Sequence, residues 1–260
     1  MIDPNDLAGN LYISTVADDA AELARENGLG LEVAEFCTAL NMDTDFETWD
    51  KKVRLQMHGI DRFIFHAPFN ELYPAAIDPQ IVEVAKRRFA QAYALLCGYG
   101  IDSMVVHSGY MPVLYTKDWF RDKSISFWKE FLMDKPDGFR LFIENVFEET
   151  PGVLCDIVGA VDDDRLRLCF DTGHAAIFRK DRSITDWAQR AAPYIGHVHL
   201  HNNFGSLDTH DPLDSGSIDI ASLIRTIIKE APGATFTIET INGLQSVEWL
   251  KAEGFLVKKE

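Results

Sequence analysis

Residues 195–219, IGHVHLHNNFGSLDTHDPLDSGSID, hold the densest chemistry in the chain. Alternation puts Val198 and Leu200 on one face of a strand and His197, His199 and His201 on the other. A short loop containing glycine then brings Asp208 and His210 close together. Ser217 is placed to cap a following helix, with Asp219 in its first turn. Imidazoles and carboxylates gathered at a strand end are the main nitrogen and oxygen ligands of a divalent cation. A histidine-rich tract alone also fits a solvated polar loop, so the rest of the chain must decide.

The rest of the chain repeats the pattern of an apolar run ending in a polar group. In order, these positions are His66, His107, Glu144, Asp171 with His174 (DTGH), His199, Asp208 with His210 (DTH), and Glu239. A single strand-end histidine or glutamate is ordinarily hydrogen-bonded or solvated. Converging from consecutive strands, these groups would form a cluster of mutually repelling carboxylates. Burying unpaired carboxylates is costly, and a coordinated cation supplies the missing partner. The set predicts a divalent metal centre.

Such convergence needs a fold that brings the strand ends to one place. Strand-like runs occur at 11–16 (LYISTV), 31–36 (LEVAEF), 62–66 (RFIFH), 103–107 (SMVVH), 140–144 (RLFIE), 165–171, 196–201 and 235–239 (TFTIE). Helix-like segments separate them: an Ala/Glu-rich one ending at the Gly28 and Gly30 turn, then 45–58, 79–97, 118–133, 151–161, 184–192 and 218–229. Residues 244–251 form a last helix that closes the chain. The repeat, with no linker or low-complexity stretch, predicts an α/β fold, a (β/α)₈ TIM barrel with residues 1–260 as a single domain. A doubly wound open sheet is the alternative, but it does not explain polar residues ending nearly every later strand. No GxGxxG or P-loop pattern supports a nucleotide-binding sheet.

Strand parity sharpens this reading. Phe236 and Ile238 face the helices, leaving Thr235, Thr237 and Glu239 inside the barrel. By the same count Glu144, Cys169 and Asp171 point inward. In a barrel these ends meet at the C-terminal mouth, where active sites of the fold lie.

Composition narrows the function classes. With 47% hydrophobic and 25% charged residues the chain is globular, and no apolar run approaches the roughly 20 residues of a membrane span. The start, MIDPNDLAGN, lacks the basic-then-apolar pattern of a secretory signal. Cys37, Cys97, Cys155 and Cys169 are far apart without a CxxC pair, which predicts reduced thiols and a cytoplasmic protein. A net charge of −16 argues against a nucleic-acid partner, because phosphates would be repelled.

The ordered series of strand-end His66, VVHSG, FIENV, FDTGHA, HVHLHNN with a following DxH, and TIE resembles the xylose isomerase-like barrel superfamily. That group includes sugar-phosphate isomerases and epimerases and an endonuclease IV branch. The resemblance runs from the third strand to the C-terminus and is specific as a set, although each motif alone is weak. Epimerase-like members hold one manganese, magnesium or similar ion through Glu, Asp, His and Glu, which by position are Glu144, Asp171, His199 and Glu239. The endonuclease IV branch holds three zinc ions by adding ligands that by position are His66, His107, His174, Asp208 and His210.

The resemblance thus implies one to three divalent ions (Zn, Mn, Mg or Co) and, in the first branch, a small-molecule sugar or sugar phosphate. Two departures favour the first branch. The segment after His66, APFNELYP, is apolar with an acidic residue, unlike a duplex-penetrating element. The loop after His210, DPLDSGSID, lacks the glycine-rich, Glu-containing form of many members.

The expected activity is a metal-dependent sugar or sugar-phosphate isomerase or epimerase working through a metal-stabilised enediolate. In this reading Glu144 and Glu239 are the catalytic proton carriers. The alternative is an endonuclease IV-like zinc phosphodiesterase, and a non-catalytic sugar-binding barrel is a second. Glu35 either orients a substrate hydroxyl or is a solvated strand-end carboxylate, and His201 and Asn202 could bind hydroxyls. Lys117, Arg121, Arg179 and Lys180 could contact phosphate, although solvated charges are the simpler reading. Trp119, Phe120, Trp128 and Phe178 either stack on a sugar or pack in the core. His58 is read as a helix residue and His197 as a lower-barrel polar residue.

Overall fold

A computed structural model of the chain describes residues 3, 6–180 and 183–257. Among them, eight parallel strands close into a barrel in sequence order, and the last pairs with the first. The strands are β1 (Leu11–Ser14), β2 (Gly30–Val33), β3 (Phe63–His66), β4 (Ser103–His107), β5 (Arg140–Glu144), β6 (Leu166–Asp171), β7 (Ile195–Leu200) and β8 (Thr235–Ile238). Around them run α1 (Ala20–Asn27), α2 (Ala39–Asp43), α3 (Phe46–Met57), α4 (Pro79–Gly98), α5 (Lys117–Leu132), α6 (Gly152–Val161), α7 (Thr172–Phe178), α8 (Ile184–Ala191), α9 (Ile220–Glu230) and α10 (Gly243–Ala252). No helix of the described residues is long and apolar enough to cross a membrane.

The alternation of the strands produces two separate apolar layers. Ile13, Val33, Phe65, Val106, Ile143, Phe170, Val198 and Ile238 face outward and join the large core under the helices. Inside the barrel, Ile64, Val105, Phe142 and Cys169 form a small cluster against Tyr12. Burying each large side chain contributes about 1.5–3 kcal/mol, so both layers hold the strands in one register. Register then fixes the inward polar groups, with His107 opposite Glu144 and Asp171 opposite His199.

Local chemistry sets the helix ends. Asp78 caps α4 by accepting from Gln80 N at 2.8 Å, with Pro79 at the first helical position. The expected helix at 45–58 is α3, entered through Asp45 in a left-handed conformation (φ 52°) that separates it from the short α2, which the sequence pattern did not show. Asp219, and not Ser217, caps α9, accepting from Ser222 N at 2.9 Å. The Ser217 hydroxyl instead donates to the Asn203 carbonyl. Phe120 and Trp128 are buried core residues, and Trp119 Nε1 donates to the Ala75 carbonyl.

Candidate metal centre

The strand ends of β3 to β8 and the loop after β7 bring all nine of the predicted ligands together. Three groupings are visible. His66 Nε2 and His107 Nε2 lie 3.5 and 3.6 Å from the same oxygen, Glu144 Oε2. His199 Nδ1 faces three carboxylates, Glu239 Oε2 at 3.1 Å, Glu144 Oε2 at 3.4 Å and Asp171 Oδ2 at 3.7 Å. His174 Nε2 and His210 Nε2 lie 3.1 and 3.3 Å from Asp208 Oδ2. Glu144 joins the first grouping to the second.

The rings are held from behind. His66 Nδ1 is 3.0 Å from the Ala67 carbonyl, His174 Nδ1 3.0 Å from that of Asn145, and His210 Nδ1 2.9 Å from that of Glu239. Each Nδ1–H can donate to its carbonyl, which leaves Nε2 facing the cluster, and His174 Nδ1 also lies 3.1 Å from Glu144 Oε1 and 3.3 Å from Asp171 Oδ1.

The donor set fits a divalent cation. Glu144 Oε2, His199 Nδ1 and Glu239 Oε2 are buried without a hydrogen-bond partner. Buried polar atoms are nearly always paired, and imidazole with carboxylate is the donor mixture that zinc, cobalt and manganese accept.

The electrostatics point the same way. Burial opposes ionisation of Glu144, yet His107, His199 and His174 hold it well below the usual carboxylate range. Burial also opposes ionisation of Glu239, but His199 and His210 bring it down to about 2. Burial disfavours the imidazolium of His210, but Asp208 and Glu239 push it up to about 10. His107 is the exception, because burial dominates and holds it near 4. Protons on several of these imidazoles therefore supply the positive charge that a cation would bring.

Asp171 has two tasks. Its Oδ1 caps α7 by accepting from His174 N at 2.6 Å, and both of its oxygens lie 3.0 Å from His201 Nε2. Gly173 makes room for this, since a Cβ there would sit 1.9 Å from His201 Cε1. The glycine of DTGH is thus a packing requirement at the site.

Above the ligands opens a cavity of about 510 Å³. His66, His107, Glu144, His174, Asp208, His210 and Glu239 reach its surface, while Asp171 and His199 lie fully buried beneath. Its wall is aromatic and apolar, with Phe69, Leu72, Tyr73, Tyr110, Phe147 and Phe178. Phe69 stacks on the His107 ring with centroids 4.1 Å apart. No lysine or arginine among the described residues lines the cavity. In particular, Lys117, Arg121, Arg179 and Lys180 do not reach it, and Arg121 pairs with Asp118 and Asp122 while Lys180 pairs with Glu149.

Other sequence readings change. Glu35 is buried rather than solvated, accepting from Thr15 Oγ1 at 2.7 Å with Lys52 at 3.3 Å, and it does not line the cavity. The Asn202 amide donates to the Leu213 and Ile218 carbonyls, so it is part of the loop framework. His201 is the partner of Asp171. His58 ends α3, and His197 lies lower in the barrel between Thr235 and Thr237. Sequence reasoning passed over Glu32, a fully buried carboxylate on β2 next to His199. Its signal was a charged residue with inward parity between Leu31 and Val33, which face the core.

A family model described as a xylose isomerase-like TIM barrel matches residues 3–253. An uncharacterized protein of Methanocaldococcus jannaschii is 27% identical over 217 residues, covering 77% of this chain and 74% of its own. A D-tagatose 3-epimerase-like protein superposes with a TM-score of 0.75 at 22% identity, covering 94% of this chain and 96% of that one. A Thermus thermophilus protein whose crystal was soaked with ZnCl2 gives a TM-score of 0.72 at 22% identity, covering 94% and 97%. D-psicose 3-epimerase with D-tagatose, from Clostridium cellulolyticum, gives 0.68 at 16% identity, covering 88% and 83%. Each of these likenesses speaks to the fold.

Proposed function

The chain belongs to the xylose isomerase-like TIM-barrel family, and from that premise we propose that it is a divalent-metal-dependent sugar isomerase or epimerase. The observation that carries this is the convergence of Glu144 from β5 and Glu239 from the end of β8 on one nitrogen, His199 Nδ1, at 3.4 and 3.1 Å. Both carboxylates reach the cavity surface and both are held anionic. Two carboxyl groups at one position from different strands suit such a reaction: one, as the anion, takes the carbon-bound proton, and the other, having picked up a proton from solvent, returns one.

Glu144, Asp171, His199 and Glu239 would hold the ion, which when bound supplies Lewis acidity to neighbouring carbonyl and hydroxyl oxygens of the sugar. Glu144 and Glu239 exchange the proton at the hydroxyl-bearing carbon next to the carbonyl. The wall formed by Phe69, Tyr110, Phe147 and Phe178 packs against the C–H faces of the sugar and keeps water from the reacting carbon. Among the described residues no lysine or arginine of the kind a phosphate ester calls for lines the cavity, which supports an unphosphorylated substrate.

A zinc phosphodiesterase is the second reading. It is favoured by the additional groupings of His66 with His107 and Glu144, and of His174 with Asp208 and His210. One experiment separates the two. Protein loaded with Mn²⁺, Co²⁺ or Zn²⁺ is incubated in D2O with a panel of free ketoses and, in parallel, with bis-p-nitrophenyl phosphate. Deuterium at a sugar carbon together with an isomeric or epimeric product is the expected result. Phosphodiester cleavage without such exchange would reject the isomerase reading, as would sugar binding with no exchange.

A further inference from the structure

Glu32 takes no part in the mechanism above, yet it is a fully buried carboxylate in the barrel lumen. Its Oε1 lies 3.2 Å from His199 Nε2, and neither atom has a hydrogen-bond partner, so the two meet as a charge contact. Its Oε2 accepts from Thr237 Oγ1 at 2.7 Å and lies 3.4 Å from His197 Nε2.

The groups behind it fix its direction. The Thr237 hydroxyl donates to Glu32, so its oxygen accepts from His197 Nε2–H at 2.9 Å. His197 Nδ1 is then left to accept from the Thr235 hydroxyl at 2.7 Å. Burial pushes His197 below its ordinary value, which agrees with a neutral ring in that tautomer. The hydrogen bonds run one way, from Thr235 to His197 to Thr237 and end on Glu32, whose remaining oxygen faces His199. Cys169, also against the His199 ring, has its thiol pushed up by burial and is a neutral neighbour.

The backing differs from ring to ring. His66 and His210 are each backed by a main-chain carbonyl, and His174 Nδ1 has one at 3.0 Å beside Glu144 Oε1 at 3.1 Å and Asp171 Oδ1 at 3.3 Å, whereas His199, which faces three carboxylates, has no hydrogen-bonded carbonyl behind it and is backed by a fourth carboxylate. We propose that Glu32 is a positioning residue, whose carboxylate holds the His199 ring by Nε2 so that Nδ1 faces Glu144, Asp171 and Glu239. This rests on the metal-centre reading of the site. A carboxylate behind an imidazole makes the opposite nitrogen a stronger ligand and fixes its orientation.

The test is calorimetric titration of Mn²⁺ into wild type, Glu32→Gln, Glu32→Leu and Thr237→Val, with folding checked by thermal melting. Glu32→Leu should weaken Mn²⁺ by about 10–100-fold. Glu32→Gln, which keeps an acceptor oxygen but not the charge, should lose less. Thr237→Val removes the hydroxyl that aims Glu32 and should also weaken binding, and together with Glu32→Gln it carries the test if Glu32→Leu fails to fold. The number of ions bound per chain should stay the same. In Zn²⁺-loaded, ¹⁵N-labelled protein, wild-type His199 should show a protected Nε2–H and a metal-bound Nδ1, an arrangement lost in the Glu32 variants.

Unchanged affinity and ring signals in folded variants would overturn the proposal. Loss of an ion per chain in Glu32→Gln would also overturn it, since Glu32 would then be a ligand. Wild-type protein that binds neither ion would reject the metal-dependent function together with this inference, whereas wild-type binding with indifferent variants rejects only the role of Glu32.

Discussion

His201 Nε2 lies 3.0 Å from both oxygens of Asp171, and that contact exists because residue 173 has no side chain. Gly173→Ala should therefore be damaging although it places a better helix former in α7. The new Cβ would meet the His201 ring at 1.9 Å, and overpacking of this kind costs about 1–3 kcal/mol. Metal affinity should fall with stability, because Asp171 would lose its partner. A second substitution, His201→Ala, should restore part of the stability lost in Gly173→Ala, measured as a coupling in a double-mutant cycle of denaturant melts. Simple additivity would show that the two residues do not press on one another.

Glu144→Gln and Glu239→Gln keep shape and burial while removing the charge. At saturating metal each should lower kcat by about 10²–10⁴-fold, the range for loss of a positioned acid or base, with little change in melting temperature. A folded, metal-replete Glu239→Gln with wild-type turnover would remove Glu239 from the mechanism. The two should also differ in deuterium exchange, since one carboxylate removes the proton and the other returns it.

Much of this site was legible before any coordinates, and for a physical reason. Period-2 alternation fixes which residues face the lumen, and a closed barrel makes all strand ends converge, so Glu144, Asp171 and Glu239 could be placed from TFTIE-like patterns alone. The inward parity of Glu32 could be read, but its role was not legible, because a glutamate inside LEVAEF has no partner in the sequence, and its partners Thr237 and His199 come from the far end of the chain. α7 was missed because seven residues are too few for a helical period to show. Which ring nitrogen faces the cluster depends on carbonyls of neighbouring strands and loops, information that only the folded chain holds.

The charge pattern of the centre predicts a pH window for chelator-treated protein. Glu239, depressed from 4.5 to about 2, contributes stability that is present above pH 4.5 and lost as pH falls toward 2. His210, raised from 6.5 to about 10, contributes stability that is complete below pH 6.5 and lost as pH rises toward 10. From this pair, melting temperature should be highest between those limits, at about pH 4.5–6.5. Because ligands must shed protons, Zn²⁺ binding at pH 7 should release protons to the buffer and tighten as pH rises. Identical binding heats in buffers of different ionisation enthalpy would contradict this.

The cavity wall makes a prediction about substrate. A free ketose should be used with higher kcat/KM than its terminal phosphate ester, because no lysine or arginine among the described residues lines the cavity to receive the phosphate. Inorganic phosphate at millimolar concentration should not protect the metal-loaded protein from thermal unfolding. A phosphate ester preferred tenfold or more would reject the assignment of an unphosphorylated substrate while leaving the isomerase chemistry intact.

Glu148 gives a prediction for the framework behind two of the ligands. Its carboxyl takes the Ser108 hydroxyl at 2.6 Å and the Val146 N–H at 2.8 Å, joining the segments that follow His107 and Glu144. Burial pushes it up to about 7, outweighing those hydrogen bonds. An acid raised in the fold works against stability once it must ionise, so the native state should weaken as pH rises from 4.5 to 7 and then level off. The shift corresponds to a cost on the order of 3 kcal/mol above pH 7. Glu148→Gln can keep the Val146 contact through its carbonyl and donate to Ser108 through its amide, with no charge to bury. It should therefore melt higher than wild type at pH 8 and close to it at pH 4.5. A variant less stable than wild type at pH 8 would mean that Glu148 is needed as an anion, and the argument from burial would fail.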